Sequence, residues 1–226
     1  KTRVPGAVGI PQWLSDKAKV VAIDGICQNV ADLRELEGAL GEGGIVVDVP
    51  DLLEDLWTDR PVCPVTPITT LDVECFGGVP RREKLQWLRV WMLEGGYDKV
   101  LLSSLDEIAW LLNVRGSDID YNPLVISYLV VSQDYVRWFV KKPGLYETDD
   151  QDTWDSFEEL QQDGVDIWAY DEVFSGLSDD GDGEASGTIF VDPSTLNSHI
   201  YNYICKSFPE GGVICGTSPV ILKKSV

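Results

Sequence analysis

Residues 105–123, LDEIAWLLNVRGSDIDYNP, constrain the fold of this chain more than any other segment. Ile108, Leu111 and Leu112 recur at i, i+3 and i+4, the spacing of a helix with one buried face. Ser104 and Glu107 match the S-x-x-E pattern, in which each side chain answers an unpaired donor at a helix start. The pattern therefore predicts a capped helix that ends near Asn113. A polar loop over residues 115–122 follows, and a buried loop would leave backbone groups unpaired, so it belongs at a surface. Such a loop on a rigid helix is a site, an interface or a solvated connection, and spacing alone leaves all three open.

The elements around this segment alternate strand and helix. Residues 19–24 and 45–49 are short apolar runs suited to strands. Between them residues 29–40 form a helix with Asn29 as candidate N-cap and Leu33, Leu36 and Leu40 on one face. A β-α-β unit of this kind favours parallel pairing. Two strands alone leave open edges, so the unit calls for a larger sheet than it brings. Prolines at 61, 64, 67 and 80 block helix and interior strand, which marks residues 63–80 as the connection between domains. Trp57 at its start is expected to be buried and to hold the connection down.

From Arg81 a second α/β domain is expected. Residues 82–93 are helical, with Leu85, Leu88 and Met92 inward and Gly95-Gly96 as the stop. Residues 99–103 form a strand, and residues 124–131 and 135–140 a hairpin around Ser132-Gln-Asp134. Residues 188–191 are another strand. Asp192-Pro193 has the form of an N-cap and an N1 proline, which predicts a helix from there to about Lys206. A strand near residues 213–215 and a helix begun by Ser218-Pro219 complete the pattern. The fold class is α/β: a mixed sheet flanked by helices and preceded by a partial β-α-β unit.

Charge narrows the function. With 38 acidic and 18 basic residues the net charge is −20. That surface repels phosphate backbones and anionic membranes, so neither nucleic acid nor membrane is an expected partner. The cysteines Cys27, Cys63, Cys75, Cys205 and Cys215 are scattered, with no C-x-x-C, and are expected to be reduced core thiols of a cytoplasmic protein. No apolar run reaches spanning length, and Lys1-Thr-Arg-Val-Pro5 lacks the apolar region of a signal peptide.

Residues 147–184 carry fifteen acidic residues and no Lys or Arg. Within them residues 149–162 read as an exposed amphipathic helix, with Trp154, Phe157 and Leu160 inward. The run at 179–184 invites a calcium-loop reading, but from Asp180 the sixth and twelfth positions are Ala185 and Val191, not Gly and Glu. It is a solvated acidic loop. His199 is the single histidine, mid-helix and without a G-x-S-x-G partner, which points to packing rather than to a Ser-His-Asp triad. The residues by themselves supply no complete active site.

Three stretches carry a resemblance: Trp57-Thr-Asp-Arg-Pro61, residues 105–123, and Ser127-Tyr128. Together they resemble the non-catalytic region of the Xaa-Pro aminopeptidases (aminopeptidase P) of the creatinase/prolidase family. Residues 1–62 resemble the last part of that family's first N-terminal domain. After the 63–80 connection, residues 81–217 resemble its second, of ribonuclease-H-like topology. Residues 218–226 resemble the start of the linker to the catalytic domain.

The resemblance implies a parent enzyme that removes the first residue from peptides with proline second. Its two divalent metals, usually manganese, would be held in a catalytic domain that this chain does not contain. The implied partners are that domain, the proline-containing peptide and a second copy of the protein. Carried onto this sequence, Arg115, Asp118, Tyr121 and Asn122 are the candidates for substrate binding or the domain interface. The competing expectation is a stand-alone interaction module without activity. A ribonuclease-H-like nuclease is disfavoured by charge and by the missing carboxylate cluster.

Overall fold

The structure is a computed structural model describing residues 6–51, 53–76, 78–141, 151–178 and 185–225. The acidic run at 179–184 lies outside the described residues. Two units are distinguished: Lys1–Arg60 with Pro193–Asn202, and Pro61–Asp192 with Tyr203–Val226.

The first unit contains α1 (Ile10–Ser15), β1 (Val20–Ile23), α2 (Val30–Leu40) and β2 (Ile45–Asp48). Asn29 caps α2, its side-chain oxygen accepting from the Asp32 amide at 2.7 Å. Val30, Leu33, Leu36 and Leu40 form the buried stripe, and β1 and β2 pair in parallel as the β-α-β pattern predicts. Val20, Ile45 and Val47 remain exposed on the two-stranded sheet. The expectation that Asp192-Pro193 opens a helix is corrected here. The Pro193 and Leu196 carbonyls accept the Ala31 and Val30 amides at 2.8 and 3.0 Å. Those carbonyls are committed to the start of α2, so the later helix begins only at Ser198. His199 thus sits in a first turn, with Nδ1 2.7 Å from Asp48 Oδ2.

The second unit follows as β3 (Thr69–Thr70), α3 (Val73–Phe76), α4 (Arg81–Gly95), β4 (Lys99–Leu102), α5 (Leu105–Leu112) and β5 (Val114–Arg115). Next come β6 (Ser127–Ser132), β7 (Val136–Val140), α6 (Gln151–Gln162), β8 (Asp166–Ala169) and α7 (Val173–Ser178). The chain closes with β9 (Ile189–Val191), α8 (Ser198–Ser207), β10 (Val213–Cys215) and α9 (Pro219–Lys224). Six strands form one mixed sheet in the order β10-β9-β4-β6-β7-β8. Strands β10, β9 and β4 are parallel, the β6–β7 hairpin is antiparallel, and β8 runs parallel to β7.

Every residue of β4, β6 and β9 is buried, so both faces of the centre are covered, as the apolar runs 100–102, 128–131 and 189–191 require. On one face α4, α5 and α6 bring Leu88, Met92, Ile108, Leu111 and Leu160 onto Val100, Leu129, Val131 and Trp138. On the other, Gly176 of α7 lies so close to Phe139 that a Cβ there would meet the ring at 2.5 Å.

Residues 63–80 are built into this unit. Ile68 is buried, β3 pairs antiparallel with β5, and the Ile68 amide donates to Thr153 Oγ1 at 2.9 Å. Proline spacing could not show this, because the ladder partners lie far away in sequence. Two expectations are corrected. Trp57 is 46% exposed, its indole covered instead by the Arg60 guanidinium 5.1 Å from the ring. The cysteines lie outside the core: Cys63 is half-buried and the other four are exposed.

The packing makes a graded prediction. Leu88 is fully buried and Leu93, on the same helix, is 66% exposed. Leu88→Ala should cost about 2–5 kcal/mol in urea denaturation, whereas Leu93→Ala should stay within about 0.5 kcal/mol.

Candidate functional site

The last four carbonyls of any helix lack partners within it. In α5 three of them are met by cations. Arg81 Nε donates to the Leu112 carbonyl at 3.0 Å and Lys84 Nζ to the Trp110 carbonyl at 2.6 Å. Arg115 Nη1 donates to the Ala109 and Val114 carbonyls at 3.2 and 2.8 Å. Positive charge at a helix C-terminus also opposes the negative end of its dipole. Asn113 turns the chain there in the left-handed conformation, φ 56°. Its side chain accepts from Lys84 at 2.6 Å and donates to the Val79 carbonyl at 3.0 Å.

Arg81 and Lys84 are 4% and 6% exposed, so both charges are withdrawn from water. Glu159 and Asp163 lie 2.7 and 3.0 Å from the Arg81 guanidinium. The Lys84 ammonium is met instead by neutral acceptors and by the Trp110 ring, which faces it at 4.3 Å. Burial, with the Arg115 and Arg81 charges adding to it, pushes the Lys84 ammonium down to about 8.

Beyond β5 the loop is pinned by Asp118, which is buried. Its carboxylate accepts from the Thr66 amide and hydroxyl at 3.0 and 2.7 Å and from the Ile126 amide at 2.8 Å. Gly116 lies against Val125, where a Cβ would approach Cγ2 to 2.7 Å. At the tip Ile119 and Asn122 form a β-bridge across a tight turn. Tyr121 stands on it at φ 61° with its side chain fully exposed. Of the four residues singled out from sequence, Arg115 and Asp118 thus turn into their own unit, while Tyr121 and Asn122 face outward.

The other end of α5 departs from the expected capping box. Ser104 makes no bond to a helix amide; its hydroxyl donates to Asp106 Oδ1 at 2.6 Å. Glu107 is buried and accepts from the Ser218 hydroxyl, and Asp106 pairs with Lys224. Helix α9, distant in sequence, has claimed Glu107, which local pattern assigned to capping. Burial raises the Glu107 carboxyl above its usual range, against the lowering effect of Ser218. Burial alone would raise Asp106 too, but bonds from Lys224 and Ser104 outweigh it and bring that carboxyl down.

Sequence reasoning missed Arg81, Lys84 and Thr66. A signal existed for the first two, since they fall on the same stripe of α4 as Leu85, Leu88 and Met92. A cation inside an apolar stripe implies buried acceptors.

A mixed-sheet α/β domain presenting a braced polar turn is thus the class that fold and site define. The chain belongs to the creatinase/prolidase N-terminal domain family, whose model matches residues 59–226. It is 28% identical over 214 residues to aminopeptidase P2 of Arabidopsis thaliana, covering 90% of this chain and 29% of that protein. It is 31% identical over 179 residues to Xaa-Pro aminopeptidase app-1 of Caenorhabditis elegans, covering 77% and 28%. The crystal structure of the X-prolyl aminopeptidase of Caenorhabditis elegans superposes with a TM-score of 0.82 at 28% identity, over 99% of this chain and 36% of that one. That protein is described as a cytosolic enzyme with a di-nuclear active site. The chain therefore spans under a third of the sequence relatives it matches. Among the described residues no group of His, Cys, Asp and Glu is placed to hold a metal ion, so a dinuclear centre does not fit them. No helix among them is long and apolar enough to cross a membrane.

The buried ammonium yields a pH prediction. Lys84 titrates near 8 in the fold and near 10.5 when unfolded. Between those values the unfolded chain binds the extra proton, so stability is lower at pH 8 and rises toward pH 10.5. Urea midpoints should show a gain of about 1–3 kcal/mol over that range, absent in Lys84→Met.

Proposed function

We propose that this chain is the N-terminal, non-catalytic part of an Xaa-Pro aminopeptidase, which releases the first residue of peptides with proline second. The supporting observation is the family match over residues 59–226, within relatives of which the chain spans about 28%. In this reading residues 1–62 complete a first N-terminal domain, 63–80 lead from it while packing onto the second, 81–217 form the body of the second, and 218–226 lead toward a catalytic domain. Two divalent metals, manganese by family habit, belong to that domain. The parent is cytoplasmic and dimeric.

The contribution of these residues is to bind and orient. Tyr121 and Asn122, on a turn fixed by Asp118 and Thr66, offer an aromatic face, a hydroxyl and an amide to the catalytic domain beside the active-site approach. A braced turn loses little conformational entropy on docking, which is what an interdomain contact needs. Arg115 acts indirectly, by holding β5 and the start of the loop to α5.

Two measurements test this. The 226-residue chain, given manganese and an Xaa-Pro peptide, is expected to release no amino acid, while the polypeptide that also carries the catalytic domain releases the first residue. In that longer polypeptide Tyr121→Ala or Arg115→Ala should lower kcat/KM about 10-fold or weaken dimerisation, of the size of one lost interface anchor. Unchanged kinetics and unchanged oligomer size in both variants would overturn the placement of the turn.

A further inference from the structure

Helix α9 is only six residues long, far too short to be stable by itself. Both of its ends are nevertheless tied to the first turn of α5. At its start the Ser218 hydroxyl donates to Glu107 and accepts from the Val220 amide at 3.2 Å, and the Ser218 amide donates to Asp192 Oδ2 at 2.8 Å. At its end Lys224 pairs with Asp106. Between the ties, Pro219 and Val220 are buried, Val220 completely. Glu107 and Ser218 are each 2% exposed, so the contact between them is dry.

The same α5 carries the 119–122 turn beyond its other end, through β5 and the Asp118 bonds. Residues 218–224 are therefore not a free tether. They are an extension of the sheet domain.

We propose that α9 is a rigid exit strut, with Asp106, Glu107, Ser218 and Lys224 as positioning residues. They fix the direction in which the chain leaves past Lys224 relative to the exposed Tyr121 turn. Resting on the Xaa-Pro aminopeptidase reading, the strut aims the catalytic domain at that turn, so that its two connections to this domain, covalent and docked, are set by one helix. A slack tether would leave the docked contact to be found by diffusion; the strut holds it near its bound arrangement.

The experiment has two parts. In the 226-residue chain, Glu107→Ala and Ser218→Ala should speed amide exchange in residues 220–225 about 10-fold or more, the scale of one lost buried hydrogen bond, and leave β4 and β6 protected. Ser218→Thr, which keeps the hydroxyl, should retain protection. Asp106→Asn with Lys224→Gln loosens the outer tie at a half-exposed position and covers the case in which a buried variant fails to fold. In the polypeptide carrying the catalytic domain, the same disruptive substitutions should lower kcat for an Xaa-Pro peptide about 10-fold at unchanged metal content, whereas Ser218→Thr should keep the parent's activity. Unchanged exchange in residues 220–225 across all the disruptive variants would overturn the strut. Faster exchange with unchanged kcat and KM would overturn its positioning role. An inactive unsubstituted parent would instead defeat the aminopeptidase reading, and the exchange data would still decide the strut.

Discussion

Three cations converge on the carbonyl end of α5, and much of the second unit's polar architecture follows from that meeting. Arg81, Lys84 and Arg115 arrive from α4 and β5 onto the carbonyls of Ala109, Trp110, Leu112 and Val114. Drawing charges out of water is costly, and the cost is offset only where acceptors are already oriented. A helix terminus supplies such acceptors without further ordering. The cluster fixes where α5 stops, holds Asn113 in its left-handed turn and places β5 beside β3. That pairing brings Thr66 within reach of Asp118, and the loop is closed.

Apolar packing and polar bracing divide the work. The sheet centre is apolar on both faces and carries the cooperative stability expected of a buried mixed sheet. Orientation at the periphery comes from buried or half-buried polar groups whose partners are far apart in sequence: Glu107 with Ser218, Asp118 with Thr66, Arg81 with Glu159. Removing one partner from such a contact leaves the other desolvated, so each is sensitive to single substitutions although none belongs to the apolar core. This division suits a domain that presents a surface in fixed orientation.

The relatives give that surface a context. Xaa-Pro aminopeptidases are several times longer than the matched region, and the described residues here hold no group that could bind a metal pair. The described residues hold a braced turn and an anchored terminal helix α9, linked through α5.

Much of the fold was legible in the sequence because its elements are set by local periodicity. The stripes of α2 and α4, the Asn29 cap, the β6–β7 hairpin and the run of β9 follow from neighbours within a few residues. The family mark at 105–123 was legible too, as a helix followed by a polar loop. What escaped was everything decided by long-range partners. The S-x-x-E pattern named Ser104 and Glu107 correctly but gave them the wrong partners, because Ser218, 111 residues away, competes for Glu107. Asp192-Pro193 looked like a helix start until α2 claimed the neighbouring carbonyls. Strand β8 went unrecognised because its short run, Asp-Ile-Trp-Ala, is a strand only by pairing with β7. Sequence by itself determined most of the longer elements and the family, since both are written in local pattern. Tertiary structure decided which polar side chains face inward and which are left to meet a partner, since that depends on donors and acceptors brought together only by folding.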